Sequence, residues 1–287
     1  MLVNLVPLLK KANQNKYAVA HINMLNLEWA KATLEVARDT HTPVIVALTD
    51  AVSTYFGGYA VMSDLIKSLV KNLSVDVDVA IHLDHGSYEG CLKCIDAGFT
   101  SIMFDGSKLT LAENIKKTSE LVKLAHDKGM SIEAEVGSIG GTEDGIVGKG
   151  EIANPDDCKT ISDLGIDALA CGIGNIHGKY PENWEGLSFD TLTKIKEIVN
   201  DTPLVLHGGS GIPVDMIKKA ISLGITKINV NTELHLAFCD ATRKYFEAGK
   251  DKVGKGYDIR NISKDGIDAI KDTVKNKFEI FGSLGKG

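Results

Sequence analysis

Proline, cysteine, long apolar runs and any excess of positive charge are what this chain has little of. With 6 prolines in 287 residues and no tract of biased composition, it contains nothing that reads as a proline-rich linker or a collagen-like repeat. Five cysteines, at 91, 94, 158, 171 and 239, are too few and too scattered for a disulfide framework in a chain of this length. Free thiols in a reducing compartment follow, and the expected location is the cytoplasm. Cys91-Leu-Lys-Cys94 lacks the second pair that a structural zinc site needs, so both are read as small residues of a helix. No apolar run nears the ~18 residues of a membrane-spanning helix, and in MLVNLVPLL the lysines follow the apolar stretch, unlike a signal peptide. This segment is expected to pack on the domain as a helix. Thirty-two basic against thirty-eight acidic residues leave a net charge of -6, which argues against nucleic acid and anionic membranes as partners.

Glycine, in contrast, is abundant: 29 residues, above the usual share of about 7%. Their positions track a regular series of short β-branched runs: YAVAHI (17–22), PVIVALT (43–49), VDVAIHLD (77–84), SIMFD (101–105), SIEAEV (131–136), ALACGIG (168–174), PLVLHGG (203–209) and KINVN (227–231). Helical spacing fills the intervals, as in NLEWAKATLEVARDTH and LAENIKKTSELVKLAHDKG. Eight apolar strands alternating with amphipathic helices predict an α/β fold, a single (βα)8 TIM barrel occupying residues 1–287 as one domain. Glycines before several strands read as helix stops. The glycine-rich GSIGGTEDGIVGKG (137–150) follows the fifth strand and reads as a mobile loop that could carry Glu143 and Asp144 over a site. Residues 249–264 read as polar and irregular, with Arg260 among them, before a last amphipathic helix.

Barrel enzymes build their sites at the C-terminal ends of the strands. Three of the 8 histidines stand there, each before a glycine: His85, His177 and His207. Converging imidazoles with an open fourth position are what a catalytic zinc requires. Asp84, Asp105, Glu133 and Glu135 gather at the same ends, available to hold a cation, orient the histidines or move protons. His82 shares a strand face with Asp84, whereas His41, His126 and His235 fall in segments read as helical and receive no role. His207-Gly-Gly-Ser-Gly211 and Asn229-Val-Asn-Thr232 each lead into a helix, where bare N–H groups and hydroxyls suit a phosphate. Metal, phosphate and paired acids at one mouth fit carbon–carbon cleavage of a ketose phosphate, and equally phosphoester hydrolysis or isomerisation.

The motifs AIHLDHG (80–86), MFDGS (103–107), EAEVG (133–137), GGTEDG (140–145), GIGNIHG (172–178), LVLHGGSG (204–211) and KINVNTE (227–233), in this order, resemble class II, zinc-dependent fructose-bisphosphate aldolase over essentially the whole chain. The resemblance implies that His85, His177 and His207 bind zinc, with Asp105 and Glu135 near an alternative metal position. It implies that Asp84 serves the C4 hydroxyl, Glu143 the C3 proton of dihydroxyacetone phosphate, and Asn229 the enediolate. Gly178, Gly208, Ser210, Asn231 and Thr232 would hold the C1 phosphate, beside a monovalent cation, sodium or potassium. The products would be dihydroxyacetone phosphate and glyceraldehyde 3-phosphate. A homodimer or homotetramer is implied, in which Arg260 reaches the distal phosphate, often of a neighbouring subunit. At the distal end the sequence departs from the family: Thr49-Asp50-Ala51 replaces Ser-Glu-Gly, Asp258-Ile-Arg260 replaces Asp-Pro-Arg, and Lys108 and Lys179 stand where histidine and proline are common. Aldolases for tagatose bisphosphate, a deoxyketogluconate phosphate or sulfosugar phosphates are therefore the alternatives within the class. A zinc phosphoesterase is the alternative outside it.

Overall fold

The computed structural model describes the backbone of all residues except 144, 145 and 149, and the side chains of all except 142–149. The elements follow in the order α1 (Leu5–Asn15), β1 (Val19–Asn23), α2 (Leu27–Asp39), β2 (Val44–Thr49), α3 (Asp50–Phe56), α4 (Tyr59–Asn72), β3 (Val79–Gly86), α5 (Tyr88–Asp96), β4 (Ser101–Phe104) and α6 (Leu111–Asp127). Then come β5 (Ser131–Val136), β6 (Gly140–Glu143), β7 (Ile146–Gly148), α7 (Pro155–Ser162), β8 (Ala168–Cys171), β9 (Ile176–His177), α8 (Phe189–Ile198), β10 (Leu204–Leu206), α9 (Val214–Ser222), β11 (Ile225–Val230), α10 (Thr232–Glu247) and α11 (Ile259–Ile280).

Eight parallel strands close into a barrel in the order β1-β11-β10-β8-β5-β4-β3-β2. Each overlaps one of the eight runs read from the sequence. The strands are buried on both faces, and this is why they read as continuous apolar runs rather than alternating ones. Their outer faces pack against the helices in one large apolar cluster. The N-terminal end of the barrel is closed separately: α1 presents Leu5, Leu8, Leu9 and Ala12, spaced for one helical face, to Val19, Ile45, Ala80, Met103 and Val205. The N-terminal apolar stretch is thus a plug for the barrel floor.

Local signals set where the helices begin. Asn4, Asn26, Thr49, Ser87, Thr110, Asn154 and Asp258 each accept a first-turn N–H of the following helix, and Thr110 with Glu113 completes a capping box. Three readings need revision. The 137–150 segment was expected as a loop, but it contains β6 and β7, paired antiparallel, with β6 also running parallel to β9. Glycine-rich chain without an apolar pattern carries no strand signal, and the pairing arises from contact with the His177 segment. Arg260 lies in the first turn of α11 rather than in irregular chain, because the Asp258 carboxylate caps that helix. His41 follows α2 in a left-handed turn, φ 49°, not within a helix. All five cysteines are free, and Cys91 and Cys94 are buried on α5. No helix among the described residues is long and apolar enough to cross a membrane.

Candidate active site

The C-terminal end of β3 sets the geometry. In a regular strand Asp84 and His85 would point to opposite faces. Here the register against β4 shifts between Leu83 and Gly86, and His85 adopts φ 46°. The bulge turns both side chains into the barrel mouth. Asp84 is buried; its Oδ2 accepts from Asn23 Nδ2 at 2.9 Å and its Oδ1 from Asn229 Nδ2 at 3.1 Å. Burial by itself would raise its pKa, but the neighbouring His21 and His85 override this and hold the carboxyl well below its usual range.

His85, His177 and His207 converge, with one nitrogen of each lying within 4.8 Å of the others. Ring centroids are 4.9 Å apart for His85 and His177, and 4.6 Å for His85 and His207. His85 Nδ1 lies 3.0 Å from Asp105 Oδ2, and His207 Nε2 lies 3.0 Å from Glu133 Oε1. Each outer nitrogen facing a carboxylate carries the hydrogen, which leaves lone pairs on His85 Nε2 and His207 Nδ1. Those two atoms face each other at 2.8 Å. A cation between these inner nitrogens would be held by both lone pairs. Asn229 Nδ2 lies 3.2 Å from His207 Nδ1 and 3.5 Å from its Nε2. Burial, the main cause, lowers the His207 pKa to about 4, so the ring is neutral at pH 7 as a ligand must be. The donor set therefore fits a zinc ion, with carboxylates orienting the histidines from behind.

Asp105 and Glu135 flank His85 from the other side. His85, Asp105 and Glu135 form a second group whose ligand atoms share one region, with Glu135 Oε2 3.7 Å from His85 Nδ1. Burial would raise the Asp105 pKa, but His85 and Ser107 hold it low. Glu135 is raised well above its usual value by burial and then by the charge of Asp105. The two acids are thus shifted in opposite directions although they share one imidazole.

Two cavities flank His177. One, of about 270 Å³, is lined by Asn23, Asp84, Gly178, Gly208, Ser210, Asn229, Asn231, Thr232 and His235 besides His177. It unites all five residues expected to hold phosphate with Asp84 and Asn229. Gly208 has φ 64°, and a Cβ there would meet the Ile176 carbonyl at 2.0 Å, so no larger residue permits this approach of β10 to β9. The other cavity, of about 320 Å³, holds Thr49, Asp50, Ser107 and Lys108 together with His85, Asp105 and Glu135. Arg260 lines neither cavity among their described residues; it is exposed and paired with Asp258 at 2.6 Å. Glu143 ends β6, and its side chain lies outside the described residues, as does Asp144.

Several residues of this mouth escaped the sequence reading. Glu133 received no definite role, yet its carboxylate receives His207 and also Lys227 Nζ at 2.8 Å, with both partners fully buried. Asn175 donates to the His207 carbonyl at 3.0 Å, and Tyr180 donates to the Gly208 carbonyl at 2.9 Å, so they shape the loops bearing the candidate ligands. His235 lines the smaller cavity instead of merely packing, and His21 reaches Asp84 Oδ2 at 3.5 Å. The period-two alternation of β1 was the one signal available for His21; nothing local marked the rest.

Residues 3–286 match the family model described as fructose-bisphosphate aldolase class-II. A fructose-bisphosphate aldolase of Mycoplasma genitalium is 51% identical over 288 residues, 100% of both chains, and one of Streptococcus pyogenes serotype M1 is 51% identical over 280 residues, 96% of each. Among solved structures, the YdjI aldolase of Escherichia coli K12 matches with a TM-score of 0.83 at 30% identity, covering 100% of this chain and 99% of that one. A putative fructose-1,6-biphosphate aldolase of Coccidioides immitis matches at 0.87 and 28%, covering 98% and 96%. With a shared fold, near-complete coverage and half of all residues identical to named relatives, the chain belongs to the class II fructose-bisphosphate aldolase family.

Proposed function

We infer that the chain reversibly splits fructose 1,6-bisphosphate into dihydroxyacetone phosphate and glyceraldehyde 3-phosphate. The observation that carries this reading is the convergence of His85, His177 and His207 beside Asp84, with a cavity on one side lined by Ser210 and Thr232 and another on the far side. A zinc ion held by the three histidines would supply Lewis-acid stabilisation of charge developing on the triose half. Asp84 accepts the proton of the C4 hydroxyl as the C3–C4 bond breaks; the aldehyde leaves, and the electron pair remains as an enediolate. Asn229 orients that enediolate, and Glu143 exchanges the proton at C3. Gly178, Gly208, Ser210, Asn231 and Thr232 hold the C1 phosphate through backbone N–H groups, hydroxyls and the N-terminus of α10. A sodium or potassium ion beside that phosphate belongs to the same reading, and Asp105 with Glu135 would serve an alternative position of the zinc.

Thr49 and Lys108 line the distal cavity and would meet the second half of the ketose. Arg260, exposed beside the exposed Tyr257 and Ile259, would complete that pocket from a neighbouring copy, which supports a homodimer or homotetramer. One domain over residues 1–287 and a cytoplasmic setting with reduced thiols complete the proposal. The experiment is kcat/KM for fructose 1,6-bisphosphate, tagatose 1,6-bisphosphate, 6-phospho-5-dehydro-2-deoxygluconate and sulfofructose phosphate, before and after chelation. We expect fructose 1,6-bisphosphate to lead, and chelation to abolish turnover. Preference for another ketose would reassign the substrate; release of inorganic phosphate would point to a phosphoesterase.

A further inference from the structure

We propose that His21 is a positioning residue for carbon–carbon cleavage: by holding the Asn23 amide it aims the Asp84 carboxylate at the C4 hydroxyl. The proposal rests on the role given to Asp84 in the preceding section.

His21 sits in the barrel interior on β1, fully buried, with Ile45 of β2 and Asn229 of β11 as register partners. Its Nε2 lies 3.1 Å from Asn23 Oδ1 and 3.5 Å from Asp84 Oδ2. Both neighbours are acceptors, so Nε2 carries the hydrogen and donates to Asn23. With its oxygen so engaged, the Asn23 amide can turn only its Nδ2 toward Asp84, and it does so at 2.9 Å. Asn229 Nδ2 holds the other carboxylate oxygen at 3.1 Å. One amide donor on each oxygen fixes the carboxylate plane and leaves remaining lone pairs toward the cavity that Asn23, Asp84 and Asn229 line. His21 is not among that cavity's lining residues, so it acts through Asn23 rather than on substrate.

Packing does not account for a histidine here. Burying an imidazole is unfavourable unless its nitrogens are bonded, and His21 Nδ1 is buried without a partner among the described residues. An apolar residue, like Ile45 beside it, would fill the place without that penalty. The ring is also braced: His82 meets it edge-on at 5.4 Å between centroids, and His82 Nδ1 is tied to Ser101 Oγ at 2.8 Å. Without the Nε2 donor, the Asn23 amide is free to flip and present its oxygen to Asp84, which turns the carboxylate away.

The test compares two reactions of the zinc-loaded enzyme. Cleavage of fructose 1,6-bisphosphate needs Asp84, whereas hydrogen exchange at C3 of dihydroxyacetone phosphate involves no C4 hydroxyl and does not. For His21→Leu we expect the cleavage kcat to fall about 10- to 100-fold, the effect of a misaimed reacting group, while exchange rate, KM and zinc content change less than about twofold. His21→Gln, whose side-chain amide still donates near the Nε2 position, should recover to within about threefold of wild type. On an Asn23→Ala background, His21→Leu should add no further loss. A parallel fall of both reactions, or a His21→Gln variant as slow as His21→Leu, overturns the proposal in favour of a purely structural histidine. A wild-type enzyme that exchanges the triose proton yet cleaves no ketose bisphosphate would overturn the functional reading itself, and this proposal with it.

Discussion

At the scale of single residues, the barrel interior contains a charged pair where most folds place apolar side chains. Glu133 and Lys227 are fully buried, and the carboxylate is shared with His207. Burial would raise the Glu133 pKa, but Lys227 above all holds it low, so the carboxylate stays ionised. Removing one partner strands a charge. Lys227→Met is therefore expected to lower stability by about 3–5 kcal/mol, and Glu133→Gln combined with Lys227→Met to recover most of that loss, since a neutralised pair leaves no buried charge. Urea midpoints of the three proteins check this. A single variant as stable as wild type would mean that the pair is not desolvated as the structure places it. The same variants probe the orientation of His207, whose outer nitrogen has no other carboxylate within reach among the described contacts.

At the scale of elements, the two ends of the barrel have different jobs. The C-terminal ends carry the candidate zinc histidines and the acids, while α1 seals the opposite end with Leu5, Leu8, Leu9 and Ala12. Leu9 is fully buried in that plug. Leu9→Ala should cost about 2–5 kcal/mol in chemical denaturation through lost contacts and a residual cavity. Because the plug lies at the far end from Asp84 and His207, kcat should stay near wild type; a large loss of kcat in a folded variant would contradict this division of labour. Existence and order of the eight barrel strands were legible because each is a short apolar run between helical spacings. The pairing of β6 with β9 was not, since strands such as Gly140–Glu143 carry no apolar pattern and form only where the His177 segment supplies a partner.

At the scale of the whole molecule, the three zinc-candidate histidines come from β3, β9 and the end of β10, far apart in the chain, so an ion joining them ties the barrel together. Ligands that bind only the folded state stabilise it by mass action. Zinc at a hundred times its Kd should add about 2.7 kcal/mol, seen as a rise in Tm that chelation reverses. In His177→Ala the same addition should shift Tm far less. An equal shift in both proteins would place the stabilising metal elsewhere.

What the sequence determined by itself follows from local physics. Helix and strand periods, caps and glycine stops are properties of neighbouring residues, so the alternation, the barrel and the histidines at strand ends could be read directly. Strand alternation likewise placed Glu133 and Glu135 on one face. Tertiary structure alone decided which partners those groups meet. Barrel closure sets Glu133 beside Lys227 across the interior, register between β1 and β11 sets His21 beside Asn229, and the shift after Leu83 turns adjacent Asp84 and His85 into the same mouth. Those contacts depend on which side chains the closed barrel brings face to face, which no local pattern encodes, and closure is also what removes water and makes each buried charge depend on its neighbour.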